Sequence, residues 1–381
     1  MSNDVSITTV QNIEDLEATA WDACLPDNHP FVRHAFLRAL EKSGSATAET
    51  GWMPYHLVLR DAEEVVGVAP MYVKGHSQGE YVFDHSWAHA YERAGGRYYP
   101  KLQLSIPFSP VNGPRFLVKP GEQTLQRKKM LALGARQIAV KLGLSSVHAT
   151  FLNEEDKEIF ADNGYLIRTG EQFHWVNRGY SSFDQFLEDL SSRKRKAIKK
   201  ERREANKEEL IFETLHGPEI EKHHWDAFFA FYIDTGSRKW GTPYLTREFF
   251  DLIGSALGQD IVLFMVKRNG RYIAAALNFK SDTCLYGRYW GCIEDHKFLH
   301  FETCYYRAID YAIEHGLKIV EAGAQGPHKL ARGYLPTKTF SAHWMQDPGF
   351  QDAVAEFLKA ETRDMDAEIQ YLSAHSPFKK G

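Results

Sequence analysis

Between Lys318 and Tyr334 the chain reads KIVEAGAQGPHKLARGY. The apolar Ile319 and Val320 form a strand that delivers the carboxylate of Glu321 to its end. Ala322 to Gly326 then make a turn of small residues, over which a substrate can approach backbone N–H groups. His328, Lys329 and Arg332 follow at offsets of three and four, so they project from one helical turn. A base, N–H donors and cations around one turn suit acyl transfer to an amine, which needs an acceptor for the amine proton and donors for the oxyanion of the tetrahedral intermediate. A lysine-like amine titrates near about 10.4, so a base or a desolvating pocket has to help. Glu321 and His328 are the acid/base candidates, with Gln325, Gly326, Lys329, Arg332 and Tyr334 as binding groups. Taken singly, Glu321 would more often pair with Arg332 or Lys329 to pin the turn; the group as a whole favours function.

A second helix opens with HFETCYYRAIDY. An acid in a first turn is favoured by the helix dipole alone, which is a sufficient reason for Glu302. His300, beside aromatics, is a further base or binding candidate, and Glu302 is carried with it. In the first half, YVFDHSWAHAYERAGGRYYPKL interleaves aromatic and charged residues. Aromatics more often fill a core, but charged groups among them need partners if buried. Asp84, Trp87, Tyr98, Tyr99 and Lys101 are therefore read as substrate-binding residues on one wall of an inter-domain acceptor cleft.

The elements that must position these residues come in two copies. GYLIRTGEQFHW from Gly164 and GYLPTKTFSAHW from Gly333 share Gly-Tyr-Leu and His-Trp. Ahead of each lies an apolar-periodic helix ending in Gly-Leu (Gly143, Gly316) and a short strand. Further upstream, HLVLRDAEEVVGVAPMYV and LFMVKRNGRYIAAALNFK each read as strand, charged turn, strand. The repeated order, strand, hairpin, strand, helix, strand, short connection, strand, is that of a GNAT acyltransferase domain. The shared Gly, Tyr, Leu and Trp are read as fold residues. Only the second copy carries GAQGPHKLAR, which assigns catalysis to it.

At 381 residues, 43% hydrophobic and 25% charged, the chain has the length of two ordinary globular domains. The expected fold class is α/β (α+β), two tandem GNAT-like domains, each a mixed twisted sheet flanked by helices. The expected boundary lies near residue 178, giving 1–178 as a non-catalytic, acceptor-binding domain and 179–381 as the catalytic one, its first helix capped by Ser181 or Ser182. The acidic start MSNDVSITTVQNIEDLE does not resemble a secretory signal, and no stretch approaches a membrane span, so a soluble cytoplasmic protein without integral membrane association is expected. Cys24, Cys284, Cys292 and Cys304 lack CxxC spacing, and no metal site is proposed.

A net charge of -4 gives no global pull toward nucleic acid. Locally, eight of the eleven residues from Arg193 to Arg203 are basic. Arg193, Lys194, Arg195, Lys196, Lys199 and Lys200 are the candidate nucleic-acid contacts; the plainer reading is a solvated helix whose glutamates pair with them.

The stretches HPFVRHAFLRALEKSGS, GEYVFDHSWAHAYERAGGRYYPKL, IPFSPVNGPR, LHFETCYYRAIDYAIEHG and GAQGPHKLARGYLP, in this order, resemble a bacterial family of FemAB-like N-acyltransferases in the GNAT superfamily, also described as peptidoglycan-related. The resemblance implies tandem GNAT domains and transfer of an acyl or aminoacyl group to an amine. Fem ligases take an amino acid from aminoacyl-tRNA to a cell-wall precursor, and the basic helix is similar to one opening the second domain of FemAB-like proteins. The glycine-rich turn with which GNAT enzymes hold the pyrophosphate of acetyl-CoA is missing: KPGEQTLQ and GCIEDHKFLHFE stand there, the latter with Glu294 and Asp295. The acyl donor is thus a co-substrate, acyl-CoA or aminoacyl-tRNA, rather than a tightly bound cofactor. Three functions remain open: a transferase using a small thioester, a tRNA-dependent Fem-type transferase acting on a wall precursor, and a non-catalytic module that recognises one.

Overall fold

A computed structural model describes residues 5–207, 209–239, 243–323 and 326–379. The chain forms two compact units: residues 1–170 with 338–367, and residues 171–337 with 368–381. In the first, an antiparallel four-stranded sheet and a mixed one pack on helices; the second holds one mixed sheet packed on helices. No described helix is long and apolar enough to cross a membrane.

In the first unit, β1 (Val5–Val10) begins the chain, and β2 (Trp52–Pro54), β3 (His56–Asp61), β4 (Glu64–Ala69) and β5 (Met71–Lys74) follow. Then come β6 (Lys101–Leu104), β7 (Leu117–Val118) and β8 (Ser146–Leu152). β3 and β4 form the first expected hairpin, between β1 and β7. β6 pairs antiparallel with β5 and parallel with β8, so a crossover must lie between β6 and β8. That crossover includes the helix Thr124–Leu142, which buries Leu131, Ala132, Ala135 and Ala139 against the sheet and ends in the left-handed Gly143. Leu57, Leu59, Leu102, Leu104, Val147 and Ala149 complete the core.

The second unit repeats the plan. β9 (Leu166–Val176) enters it, followed by β10 (Ile211–His216), β11 (Ile261–Arg268), β12 (Arg271–Lys280), β13 (Cys284–Cys292) and β14 (Ile319–Glu321). β10 to β13 pair antiparallel in chain order, with the helices Lys222–Lys239 and Arg247–Leu257 lying between β10 and β11. The β11–β12 hairpin turns through Asn269 and Gly270, both at positive φ (50° and 75°), as a two-residue Asn-Gly turn requires. β13 and β14 are parallel, joined through the helical stretch 299–314. This is the expected tandem GNAT-like fold.

The last strand, β15 (Leu335–Met345), departs from a division into contiguous halves. β9, which carries the first GYL…HW motif, pairs with β14 in the second unit; β15, which carries the second, pairs with β8 in the first. Each copy's closing strand completes the other copy's sheet, so the compact units do not divide at residue 178. The two motifs have the same pattern, and a pattern cannot say which of two equivalent sheet edges its strand will take. The shared residues are structural: Gly164 and Gly333 both sit at positive φ (78° and 91°), and Tyr165 and Tyr334 are buried in the two cores.

The second copy opens with two helices rather than one. Ser182 caps Phe183–Asp189 by accepting the N–H of Gln185. Leu190 is then extended, Ser191 N–H bonds Pro377 O at 2.9 Å, and the basic helix Ser192–Ala205 starts afresh.

Candidate active site

β13 and β14 pair over only three positions, Cys284 with Ile319, Leu285 with Val320 and Tyr286 with Glu321, while β13 runs on to Cys292. The parallel ladder therefore stops at Glu321. A bulge sits at the same level of β13: Leu277 faces Tyr289 and Asn278 faces Gly287, leaving Arg288 as the extra residue. A Cβ at Gly287 would fit tightly there, 3.3 Å from Glu321 O and 3.4 Å from Asn278 Oδ1.

Alternation along β9 sends Phe173 and Trp175 into the core and Gln172 and His174 to the opposite face. His174 stands in register with Glu321, its Nε2 3.8 Å from Glu321 Oε1 and 2.9 Å from Gln172 Oε1. Burial, reinforced by the charge of Lys329, brings the His174 imidazole down to about 4, so it is neutral at pH 7. Lys329 is 2% exposed and donates to Gly323 O at 3.0 Å, tying down the turn that follows β14. Burial, with the Arg288 guanidinium nearby, pulls its ammonium down to about 8.

His328 is exposed, its Nε2 2.9 Å from the Tyr305 hydroxyl, and burial of its ring edge with the nearby Arg332 and Lys329 lowers its pKa. Arg332 donates to both oxygens of Glu201 (3.0 Å each) and to His328 O (2.7 Å), and its guanidinium lies 3.5 Å from the centroid of Phe301. The turn, its lysine and the basic helix that carries Glu201 are thus one assembly. Gly326, at φ 129°, would place a Cβ 2.6 Å from the His328 ring. Gln325 lies outside the described residues.

Several expected binding residues are occupied in holding the fold. Tyr334 is fully buried and bonds Tyr305 O at 3.2 Å. Glu302, also fully buried, receives Arg202 at 3.0 and 3.1 Å, and Arg202 reaches Asp310 at 2.6 Å. Glu302 lies in a short π-helix, Glu302–Tyr306, and its role is to anchor the basic helix. His300 remains half-buried near the site, packed on Trp290.

Of the stretch read as an acceptor wall, Asp84, Trp87, Tyr98 and Lys101 are buried inside the first unit, while Phe83, Arg93 and Arg97 are exposed. Lys101, fully buried, donates to Ser77 Oγ and Glu80 Oε2 at 2.8 Å and to Asp84 Oδ2 at 2.5 Å. Tyr98 donates to Asp84 at 2.6 Å and lies 3.3 Å from His148, which meets His343 at 2.7 Å between Nδ1 atoms. Burial would raise both acids, but Lys101 overrides it at Asp84, while Glu80 is pushed up to about 7. Trp87 packs in the cluster with Tyr98, Val354 and Leu358; only Tyr99 is half-exposed, bonded to Ser77. The buried charges find partners among one another, as burial demands of them, so Asp84, Trp87, Tyr98 and Lys101 do not offer a surface.

His148 and His343 are the first unit's counterparts of Glu321 and His174: a central-strand residue in register with the motif histidine of the exchanged strand. Reading the motif as purely structural missed His174. The available signal was alternation, which separates His from the neighbouring Trp by one sheet face. Gln172 and Arg288 had no sequence signal comparable to that.

On the basic helix, Ile198, Glu201, Arg202 and Ala205 face inward. Arg193, Lys196, Lys200 and Arg203 are exposed at offsets of three, seven and ten, and Lys199 pairs with Asp184 at 3.1 Å. Lys194 and Arg195 are half-buried. After β13, Glu294 bonds His296 at 2.9 Å and Arg268 at 3.2 Å, which places a paired carboxylate where the GNAT pyrophosphate turn would lie.

No curated protein matches this sequence. The fold is similar to that of FemX, with a TM-score of 0.56 and 13% identity over 92% of this chain and 100% of that one. It is also similar to the C-terminal domain of a putative lysylphosphatidylglycerol synthetase from Agrobacterium fabrum, with a TM-score of 0.54 and 10% identity over 90% and 94% of the two chains. The structure of L-PGS from Bacillus licheniformis gives a TM-score of 0.51 and 11% identity over 88% and 98%. At such identities the likeness is one of fold. In sequence, residues 12–380 match the model of the FemAB-like family, described as peptidoglycan biosynthesis/recognition, and the chain belongs to that family.

Proposed function

We propose that the second unit transfers an acyl or aminoacyl group to an amine by direct attack. Family and fold support a transferase at that coarse level. The observation that carries the reading is the position of Glu321, at the point where β13 and β14 separate, with His174 3.8 Å away and Lys329 on the following turn. Glu321 accepts the amine proton, which then passes to the sulfur or oxygen of the departing carrier; Gln172 holds neutral His174 beside that carboxylate, and the Lys329 ammonium faces the oxyanion. His328, hydrogen-bonded to Tyr305, is the second acid/base candidate. Glu321→Gln is expected to lower kcat/KM by about 10²–10⁴-fold with the fold retained. Turnover within about twofold of the parent would exclude Glu321 as the base.

Aminoacyl-tRNA as donor and a cell-wall precursor as acceptor form the more specific version of this reading. It is favoured by the exposed stripe Arg193, Lys196, Lys200 and Arg203, on a helix pinned to Arg332 of the candidate site. Lys196→Glu with Lys200→Glu should flatten the dependence of log K for tRNA on log salt by roughly 1.4–1.8, about 0.7–0.9 per lost phosphate contact. An unchanged slope would make the helix a solvated face and favour a thioester donor. A non-catalytic recognition module would bind the wall precursor equally well in the Glu321→Gln variant and show no turnover in either form.

A further inference from the structure

Five rings meet beside Lys329, whose neighbour His328 supplies one of them. His328 lies over Phe301, with centroids 5.7 Å apart and planes at 30°, and Phe301 lies over Tyr305 at 6.0 Å and 24°. The Tyr305 hydroxyl, 2.9 Å from His328 Nε2, fixes the tilt of the imidazole. His300 meets Tyr305 edge-on at 5.3 Å and Trp290 at 5.4 Å. Tyr305 is buried, Trp290, His300 and Phe301 are half-buried and His328 is exposed, so the stack ends in a ring that faces solvent.

Aromatic clusters are usually sealed by aliphatic side chains; this one is bordered by cations. Arg332 lies on Phe301 and, through Glu201, joins the stack to the basic helix. Exposed Lys297 borders Phe298, which stacks on Phe301 at 6.1 Å. Flat rings beside cations match a ligand that alternates flat, weakly polar groups with anions.

We propose that this stack is a shelf for the nucleobase of a nucleoside phosphate, the base lying on His328 and the phosphates meeting the cations that border the stack. Bases stack on aromatic and imidazole faces whatever their identity, while neighbouring Lys and Arg neutralise phosphate. Coenzyme A and the acceptor end of a tRNA both terminate in an adenine nucleotide, so the shelf would hold the carrier of the acyl group. It deepens the transferase reading by giving the donor's carrier a subsite, and it can be tested without turnover.

The test is calorimetric titration of the full chain with AMP, adenosine, coenzyme A and the trinucleotide CCA, at about 50 and 200 mM salt. AMP should bind saturably, roughly tenfold more weakly to His328→Ala and nearly unchanged to His328→Phe, which keeps a flat ring. Adenosine should bind without the salt dependence of AMP. Tighter binding of coenzyme A or of CCA identifies the source of the nucleotide. AMP binding should survive Glu321→Gln, so failure of the proton-acceptor assignment and failure of the shelf are separate results. Absence of saturable binding by every probe up to millimolar concentration, or equal weakening by Phe and Ala at 328, overturns the proposal.

Discussion

Lys329 carries its charge at a cost to the fold. Its side chain is 2% exposed and burial holds its pKa down to about 8, against about 10.4 in an unfolded chain. Below pH 8 both states are protonated and the full penalty of burying the charge is present. Between about 8 and 10.4 the folded state gives up its proton while the unfolded state keeps it, so stability rises with pH across that window. Lys329→Met should therefore stabilise the protein by roughly 2–3 kcal/mol at pH 7, with the gain shrinking above pH 8, and should abolish turnover. Denaturant melts of both forms at pH 7 and pH 10 check this. A destabilised variant would mean that the bond to Gly323 O outweighs the burial of charge. Turnover by the parent should fall above pH 8, where the cation facing the oxyanion is lost.

Among the elements, the face that β6, β8 and β15 present inside the first unit is polar and sealed. Lys101 is the hub on which Glu80, Asp84 and Ser77 converge. Removing one member of a buried ion cluster leaves its partners uncompensated, so Lys101→Ala should cost about 3–5 kcal/mol, seen as a lower urea midpoint. A loss below about 1 kcal/mol would mean that Glu80 and Asp84 are relieved by protonation or water. On the basic helix, Arg202 has the same structural standing: its contacts with Glu302 and Asp310 hold the helix, while the cations on its outer face are spare. Eight basic residues in eleven read as one patch in sequence, and the structure divides them into an anchor and an exposed stripe.

The whole molecule should lose stability between about pH 6.5 and pH 4, because four buried histidines outweigh Glu80, whose raised pKa acts in the opposite sense. Burial lowers His29 and His174 to about 4 and His148 to about 3, and holds His343 well below the usual imidazole range. Between about pH 6.5 and pH 4 the unfolded chain binds protons at these sites and the folded chain does not, so stability falls by up to about 1.4 kcal/mol per pH unit for each histidine. Melts between pH 7 and pH 4.5 should show this decline, and a flat profile would mean that these histidines accept protons in place. Of the fold, the repeat, the hairpins and the glycine-ended helices were legible in the sequence, because turn chemistry at Asn269-Gly270 and the apolar periodicities are local. Glu321 and the small-residue turn were legible for the same reason, an apolar strand ending in a carboxylate. The sequence by itself determined which strands and helices form and that one copy bears an acid, an imidazole and cations around a turn. Only the tertiary structure decided that β9 and β15 change places, that His174 thereby comes to Glu321, and that Tyr334, Glu302 and Lys101 are interior. Those outcomes depend on which of two equivalent sheet edges a strand joins and on which charges find partners when buried, and neither is written in a local stretch of residues.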